Sequence, residues 1–392
     1  MREIKPHVMM KFLKTAHLYP RYINLFYARN PGLECLPYKE QLEKLHEDSF
    51  AKNSWKHYLE PSGQFQVEDV ILNVEPLQKR WALENQVPYD ESNWMEDIFV
   101  AQLTAHRPDA LFVNHHGILL KTLPKLKARG ETPFYTIGFD GIAAHDKGVV
   151  FDVDLMLTCL QRTASFYEEM GRKAYVMPHG FDPQILDRSR NVVAEPVDIS
   201  FIGQASILGA HRERAEWLAA VARRIPVDYW LGNLPSNYSL IRNKLGAIKR
   251  GQNPELLGVP KVLSDLRRLR RVNRGELYGL EMFSQLAASK ISLNFHIAGA
   301  GKHAANMRLF EATGMGSCLL TDWKDNMADI FEPDKEIVTF CSADEAVEKI
   351  LWLLENEQAR SDIALAGQKR TLATHNVKDD LIEFGDYLAT LL

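Results

Sequence analysis

The stretch NMRLFEATGMGSCLLTD, residues 306–322, decides the fold, because it joins a helical pattern to a buried-strand pattern through two glycines. We predict that Asn306 caps the start of the helix. Met307, Phe310 and Met315 are spaced to line one apolar face of that helix. The SCLLTD run that follows is apolar and of strand length, as expected for a parallel sheet covered on both sides.

A loop of small residues, AGAGKHAA at 298–305, precedes this helix. Small side chains leave backbone N–H groups accessible, and the start of a helix favours an anion. We therefore predict a phosphate-binding loop that includes Gly299, Gly301 and His303. Glu311 follows on the helix, away from the apolar positions. A carboxylate there can accept two hydrogen bonds from a pair of neighbouring hydroxyl groups.

Three blocks carry a family resemblance: residues 306–322, the FEPDKEIVTF run at 331–340, and ELYGLEMFSQLAASKISLNFH at 276–296. Together they resemble the donor half of nucleotide-sugar glycosyltransferases of the GT-B fold, and most closely the branch related to the spore-maturation protein CgeB. The resemblance implies that Glu311 holds the ribose hydroxyls of the nucleotide. Many relatives carry a second glutamate where this chain has His303.

Strand patterns alternate with helical patterns along the chain, which predicts an α/β fold with parallel sheets. The predicted strands are 8–13, 69–74, 109–114, 133–138, 154–159 and 174–178 in the first half, and 198–203, 227–232, 290–295, 317–322 and 336–340 in the second. The resemblance implies that the two halves are Rossmann-like domains facing each other across a ligand cleft.

We predict an N-terminal, acceptor-side domain over residues 1–190 and a donor domain over residues 191–377. The polar segment 180–196, which contains two prolines, is predicted to be the linker. The last helical stretch, residues 378–392, is predicted to cross back to the first domain, as in many GT-B enzymes.

A second candidate phosphate site lies in FIGQASILGAHRER, residues 201–214. The predicted strand ends at Gly203, and Arg212 and Arg214 fall in the first turn of the next helix. Cations there oppose the helix dipole, and a bound diphosphate would remove that conflict. Alternatively, both arginines are exposed or paired with neighbouring glutamates. Arg308 is a further candidate, one turn before Glu311.

In the first half, PDALFVNHHG at residues 108–117 ends a predicted strand in two histidines. In retaining GT-B enzymes a similar strand places a histidine against the donor sugar. His115 or His116 could orient a sugar hydroxyl or act as a general base. Alternatively, they are loop histidines, one of which caps the following helix. Asp140, at the end of the next strand, is a second candidate base.

The segment 242–274 contains ten lysines or arginines and two acidic residues. Its densest part is RRLRR, with Arg267, Arg268, Arg270 and Arg271. A local basic patch suggests an anionic partner, such as a membrane surface, a lipid-diphosphate acceptor or a charged glycan. Alternatively, the patch is a solvated helix face. No aromatic interleaving or RNA motif supports nucleic acid as the partner.

Composition narrows the class of protein. The 392 residues allow two domains, and the net charge of −4 gives no general attraction to nucleic acid. The four cysteines form no metal or disulfide spacing. No apolar run approaches the roughly 20 residues of a membrane helix. We therefore expect a cytoplasmic protein that could rest peripherally on a membrane.

The predicted function is that of a hexosyltransferase-like glycosyltransferase, moving a sugar from a nucleoside-diphosphate sugar to an unidentified acceptor. No DxD arrangement is present, so we predict no essential metal and no cofactor beyond the nucleotide-sugar co-substrate. Two alternatives stay open: a sugar-nucleotide epimerase of the same fold, and a non-catalytic protein that binds nucleotide sugars or polyanions.

Overall fold

The computed structural model describes residues 9–48, 53–206, 211–236, 260–297 and 301–392. The chain divides into two compact units. Unit 1 consists of Met1–Pro178 together with Val377–Leu392, and unit 2 is the continuous segment His179–Asn376. Gly299 and residues 242–259 of the basic segment lie outside the described residues.

Each unit contains a wholly parallel sheet, and each sequence-predicted strand is found with its ends shifted by a few residues. The strands are β1 Met10–Ala16, β2 Phe65–Ile71, β3 Ala110–Val113, β4 Tyr135–Phe139, β5 Leu155–Thr158, β6 Lys173–Val176, β7 Val197–Gln204, β8 Asp228–Gly232, β9 Ser289–Asn294, β10 Cys318–Asp322 and β11 Val338–Phe340. In the described residues, unit 1 has the order β2-β1-β3-β4-β5-β6 and unit 2 the order β11-β10-β9-β7-β8.

Helices connect the strands of both sheets. They are α1 Pro20–Arg29, α2 Tyr38–Glu47, α3 Ser54–Leu59, α4 Glu75–Glu84, α5 Trp94–His106, α6 Leu123–Ala128, α7 Gln161–Glu169, α8 Gln184–Ser189, α9 Arg212–Arg224, α10 Pro260–Val272, α11 Gly279–Ala287, α12 Arg308–Gly314, α13 Met327–Ile330, α14 Ala343–Glu355, α15 Glu357–Thr374 and α16 Val377–Ala389. A π-helical turn, Ile118–Thr122, precedes α6, and 3₁₀ turns lie at Leu33–Cys35, Glu60–Ser62 and Ala144–Lys147.

Both faces of each sheet are covered, which explains why the strands are continuous apolar runs. In unit 2, Cys318 and Leu320 of β10 pack into one core, and Leu319 between them packs into the core on the opposite face. In unit 1, Phe12 and Leu13 of β1 divide between two cores in the same way. Burial of each large apolar side chain stabilises the fold by roughly 1.5–3 kcal/mol.

The last helix, α16, belongs to the core of unit 1. Its Leu381, Phe384 and Leu388 are fully buried, and the Phe384 ring lies 5.5 Å from Trp55 and 5.3 Å from Tyr175. Unit 1 is therefore built from two separate parts of the chain.

Two local expectations are wrong. Residues 180–196 are not a loose linker: they contain α8, and Phe181 and Ile185 are buried in unit 2. Asn306 does not cap α12, because its side-chain amide donates instead to Asn294 Oδ1 at 2.8 Å. Met307 precedes the helix and is 47% exposed, whereas Phe310 and Met315 are buried as predicted.

Candidate functional site

The candidate donor site lies at the carboxyl edge of the unit 2 sheet, where β7, β9 and β10 are neighbours. Polar and charged residues follow all three strands, and the short helix α12 lies between β9 and β10 in the chain. Ligands bind at this edge of open parallel sheets, in the crevice that forms where the strand order reverses. The arrangement gathers residues that are far apart in the sequence.

Glu311 and Arg308 form a buried ion pair on α12. Arg308 Nη1 lies 2.9 Å from Glu311 Oε2, and the two side chains are 15% and 10% exposed. Both guanidinium Nη atoms of Arg308 also lie 3.3 Å from the sulfur of Met282. Glu311 is therefore not a solvated helix residue, and two predicted site residues hold each other in place.

Arg212 and Arg214 have different surroundings, although they are two residues apart. Arg212 is 42% exposed, and its Nε lies 2.9 Å from Glu216 Oε1 on α9. This pairing with a neighbouring glutamate is the alternative raised from the sequence. Arg214 donates to the Gln204 carbonyl at 3.1 Å, and its Nε is buried without a partner among the described residues. Burial lowers the pKa of Arg214 to about 10. The charge of Arg308 lowers this pKa further, whereas the charge of Asp322 raises it. Arg214 is thus the stronger anion-binding candidate.

His296 and Asp322 form a second buried pair, at the ends of β9 and β10. The His296 backbone N–H donates to Asp322 Oδ1 at 2.9 Å, and His296 Nδ1 lies 2.7 Å from the same oxygen. Lys324 Nζ lies 3.2 Å from Asp322 Oδ2. Burial alone would raise the pKa of Asp322, but the contacts with His296 and the charge of Lys324 hold it below its usual value.

The small-residue loop is held to the loop after β10. Lys324 donates to the Gly301 carbonyl at 3.0 Å, and Asn326 Oδ1 accepts from the Ala304 N–H at 2.7 Å. Gly301 is exposed with φ +58°, a conformation that favours glycine, and His303 is exposed on the same loop. Gly203 lies within β7, one residue before the strand ends.

Sequence reasoning missed His296, Asp322 and Lys324 as site residues. The available signal was their position: each follows, or ends, a predicted strand on the edge where ligands bind. His296 is the last residue of the 276–296 block, where only the resemblance was weighed and not the side chain itself.

The candidate site of unit 1 centres on His115. Its ring stacks on His17, which follows β1, with the centroids 4.7 Å apart and the planes at 18°. His115 Nδ1 accepts a hydrogen bond from the Ile118 N–H at 3.3 Å. Partial burial and the neighbouring His116 lower the pKa of His115. A neutral ring that accepts at Nδ1 carries its proton on Nε2, so His115 is a hydrogen-bond donor at Nε2 and not a base there.

A cavity of about 300 Å³ opens beside His115. Its lining combines an aromatic ring, an aliphatic side chain and charged groups, including Trp94, Glu96, Ile118 and Lys121. Gly117 leaves room for the histidine, because a Cβ there would lie 2.8 Å from His115 Cε1. His116 packs instead against the buried ring of Phe151, at 4.8 Å between centroids.

Asp140 has the surroundings of a structural residue. It is fully buried, and its two carboxylate oxygens accept the backbone N–H groups of Ile142 at 3.0 Å and Ala144 at 2.8 Å. These contacts fix the loop after β4 and leave the carboxylate without access to a substrate proton. They favour an anchoring role over the predicted role of base.

In the described part of the basic patch, the four arginines of RRLRR differ in their surroundings. Within α10, Arg268 donates to the Ala222 carbonyl and Arg270 to the Pro235 carbonyl. Arg267 and Arg271 are exposed one turn apart. Arg270 is exposed as well, so Arg268 is the one of the four that is partly buried.

The described residues also bear on metal binding and membrane insertion. Across the described ranges, no group of three or more His, Cys, Asp or Glu residues is placed to hold a metal ion. In the same ranges, no helix has both the length and the apolar character needed to cross a membrane.

One protein-family model and several solved structures are similar to this chain. Residues 244–384 match a protein-family model described as "Glycosyl transferase-like". This match covers α12, with its Arg308–Glu311 pair, and the His296–Asp322 pair. A comparison with curated proteins finds no match.

Solved structures of low sequence identity share the whole fold. Anabaena HepE, in complex with UDP and glucose, is 13% identical, with a TM-score of 0.54 over 97% of this chain and 100% of that chain. Sucrose-phosphate synthase from Thermosynechococcus elongatus is 11% identical, with a TM-score of 0.53 over 97% and 99%. A glycosyltransferase from Rickettsia africae is 9% identical, with a TM-score of 0.53 over 98% of each chain.

The chain therefore has the GT-B fold, and the prediction of that fold is confirmed. Residues 244–384 match the glycosyl transferase-like family model, and the predicted class of enzyme is confirmed. The CgeB-like branch stays a prediction.

Proposed function

We propose that the protein transfers a sugar from a nucleoside-diphosphate sugar, held by unit 2, to an acceptor held by unit 1. The observation that carries the proposal is the buried Arg308–Glu311 pair inside the segment that matches the glycosyl transferase-like family. In this proposal Glu311 exchanges part of its contact with Arg308 for the two ribose hydroxyls. The N–H groups of Arg308 that Glu311 releases can then donate to the phosphates.

We propose uracil as the base of the donor nucleotide, because a structural neighbour binds UDP. HepE structures contain UDP with glucose, or UDP-glucose. The charge of a departing diphosphate would be offset by Arg214, Arg308 and Lys324, three cations at or next to the candidate site. We accordingly propose metal-independent transfer, in which these side chains supply the electrostatic stabilisation. Arg212, Gly203, Gly299, Gly301 and His303 remain proposed outer contacts of the donor.

The proposed acceptor is a sugar-sized molecule with hydroxyl groups. The unit 1 cavity, about 300 Å³, is at the lower end of small-ligand pockets. Trp94 supplies an apolar ring and His115 a hydrogen-bond donor, a combination that suits a sugar. Separately, the exposed Arg267 and Arg271 of unit 2 are proposed to attract an anionic partner, such as a membrane surface or an anionic acceptor.

The test is nucleotide affinity in two variants, Glu311→Gln and the double variant Arg308→Gln/Glu311→Gln. Two charged hydrogen bonds to the ribose contribute roughly 1.5–3 kcal/mol each, so both variants should bind UDP more than tenfold more weakly. The single variant leaves Arg308 buried without its partner, and should lose stability by up to about 3–5 kcal/mol. The double variant has no unpaired charge at residue 308, so it should stay folded. A loss of UDP affinity in it then reports binding and not unfolding.

Glu348→Gln is the matched control, because Glu348 is exposed on α14 of the same unit. It should leave UDP affinity unchanged. Wild-type UDP affinity in the folded double variant would overturn the donor site. Donor conversion without any acceptor would favour the epimerase, and binding without turnover on a broad acceptor panel would favour a binding protein.

A further inference from the structure

We propose that His296 is a proton-coupled contact for the donor diphosphate: its Nε2 gains a proton as the ligand binds, and Asp322 stabilises the resulting charge. The inference rests on the proposed donor site in unit 2 and adds a mechanism to it. Nothing in the class of fold alone requires a proton to enter with the donor.

The geometry fixes the tautomer of the neutral ring. His296 is completely buried, and Nδ1 lies 2.7 Å from Asp322 Oδ1. An ionised carboxylate can only accept, so Nδ1 carries the hydrogen. Nε2 of the neutral ring then carries a lone pair and accepts no hydrogen bond from the described residues. A buried polar atom without a partner is unfavourable, which makes this nitrogen a place where a ligand contact would be gained.

A phosphate oxygen cannot use that lone pair, because it too is an acceptor. Contact between His296 Nε2 and a diphosphate therefore requires a proton on Nε2. The orientation matches that of a histidine held by an aspartate, in which the carboxylate stabilises the protonated ring. A sugar hydroxyl, by contrast, could donate to the neutral ring without any proton uptake.

The surroundings decide between these two ligands. The charged and titratable groups around the pair are Lys324 on Asp322, Arg214 with the adjacent His211, and the Arg308–Glu311 pair. Three of these groups, Lys324, Arg214 and Arg308, are cations. A bound diphosphate brings compensating negative charge, and the same cations favour an anion over a neutral hydroxyl. Proton uptake is thus expected to accompany binding.

The experiment is calorimetric titration with UDP-glucose in buffers of different ionisation enthalpy, at pH 7.5 and 8.5. The two phosphates of this ligand stay fully ionised in this range, and the uracil contributes equally to the parent and the variants, so uptake that depends on His296 belongs to that residue. We expect uptake approaching one proton, with the Kd rising by up to about tenfold over that pH unit.

Two substitutions separate the proton from the packing. His296→Asn retains an amide that can donate to Asp322 but has no counterpart of Nε2, and should lose both the uptake and the pH dependence. His296→Gln places an amide N–H near the Nε2 position, and should bind with pH-independent affinity. Asp322→Asn should reduce the uptake, because the aspartate charge is gone. His57→Asn, an exposed histidine of unit 1, is the control and should behave as the parent.

The outcomes distinguish this inference from the proposed function. No binding of UDP-glucose by the parent protein overturns the donor site itself. Binding without proton uptake, or with uptake unchanged in folded His296→Asn, overturns the role of His296 and leaves the donor site standing. If either variant unfolds, the other and Asp322→Asn provide the same comparison.

Discussion

Glu311 and Asp140 are both buried carboxylates, yet their partners give them different capacities. Asp140 accepts two backbone N–H groups, which cannot turn away without unfolding the loop. Glu311 is held by the side chain of Arg308, which can rotate and share the carboxylate with a ligand. At the scale of the residue, the kind of partner separates an anchor from a binding group more clearly than burial does.

His115 provides a prediction at this scale. His115→Ala should lower sugar-transfer turnover about tenfold, because one hydrogen-bond donor to the sugar or acceptor is lost. UDP affinity, measured calorimetrically, should stay unchanged, since the donor nucleotide is assigned to unit 2. His116→Ala should instead lower stability through its lost contact with Phe151. Parent-like turnover in His115→Ala would refute the assignment.

The same histidine predicts a pH dependence. Burial and His116 hold the pKa of folded His115 below its ordinary value of 6.5, so the folded state binds this proton less well than the unfolded chain. His115 therefore contributes stability above about pH 6.5 that is lost as the pH falls. Protonation of Nδ1 also breaks its hydrogen bond with the Ile118 N–H. Turnover should decline below pH 6.5, and an activity profile that rises there would contradict the tautomer argument.

Sequence reasoning was strongest for strands and weakest for side-chain partners. A buried parallel strand is a local apolar run, so β3 or β10 can be recognised without knowing its neighbours. The choice between Arg212 and Arg214 depends on which side chain reaches the loop after β7, and that is set by tertiary packing. His17 could not be connected with His115, because only the adjacency of β1 and β3 in the sheet brings them together.

At the scale of the element, α10 shows how a helix divides one charged run between two tasks. Leu266 and Leu269 bury one face against unit 2, and the long side chain of Arg268 follows that face to reach a backbone carbonyl. Arg267 and Arg271 remain on the outer face. The arginines of this run therefore differ in how directly a partner can contact them.

That division predicts the effect of removing the outer pair. Arg267→Gln/Arg271→Gln should weaken sedimentation with phosphatidylserine-containing vesicles by roughly 2 kcal/mol at low salt, since each basic residue near such a surface contributes about 1 kcal/mol. The difference should fade as salt rises. Arg268→Gln should leave vesicle binding intact and lower the stability of unit 2. Equal vesicle binding by parent and double variant would mean that this face has no anionic partner.

At the scale of the whole molecule, the chain builds unit 1 from its two ends and unit 2 from the middle. Phe384→Ala tests how far unit 1 depends on the later segment. The substitution should destabilise unit 1 by about 3–5 kcal/mol, because a buried aromatic ring is lost from contacts with Trp55 and Tyr175. Denaturant unfolding would measure the loss, and UDP binding would report whether unit 2 stays intact.

Ile382→Ala is the matched control on the same helix, because Ile382 is 42% exposed. It should change the stability of unit 1 by less than about 1 kcal/mol. Equal effects of the two substitutions would show that α16 is held by its backbone and not by its buried face.

Because α16 lies near the end of the chain, the two parts of unit 1 are synthesised at different times. Roughly 200 residues separate the two parts of unit 1, and at about 5–20 residues per second the ribosome needs on the order of 10–40 s to make them. During that interval the apolar groove formed by Trp55, Leu59 and Phe65 awaits its helix, while the contiguous middle of the chain can already fold. We expect these apolar side chains to stay exposed until synthesis is complete, so slower translation should lengthen that exposure.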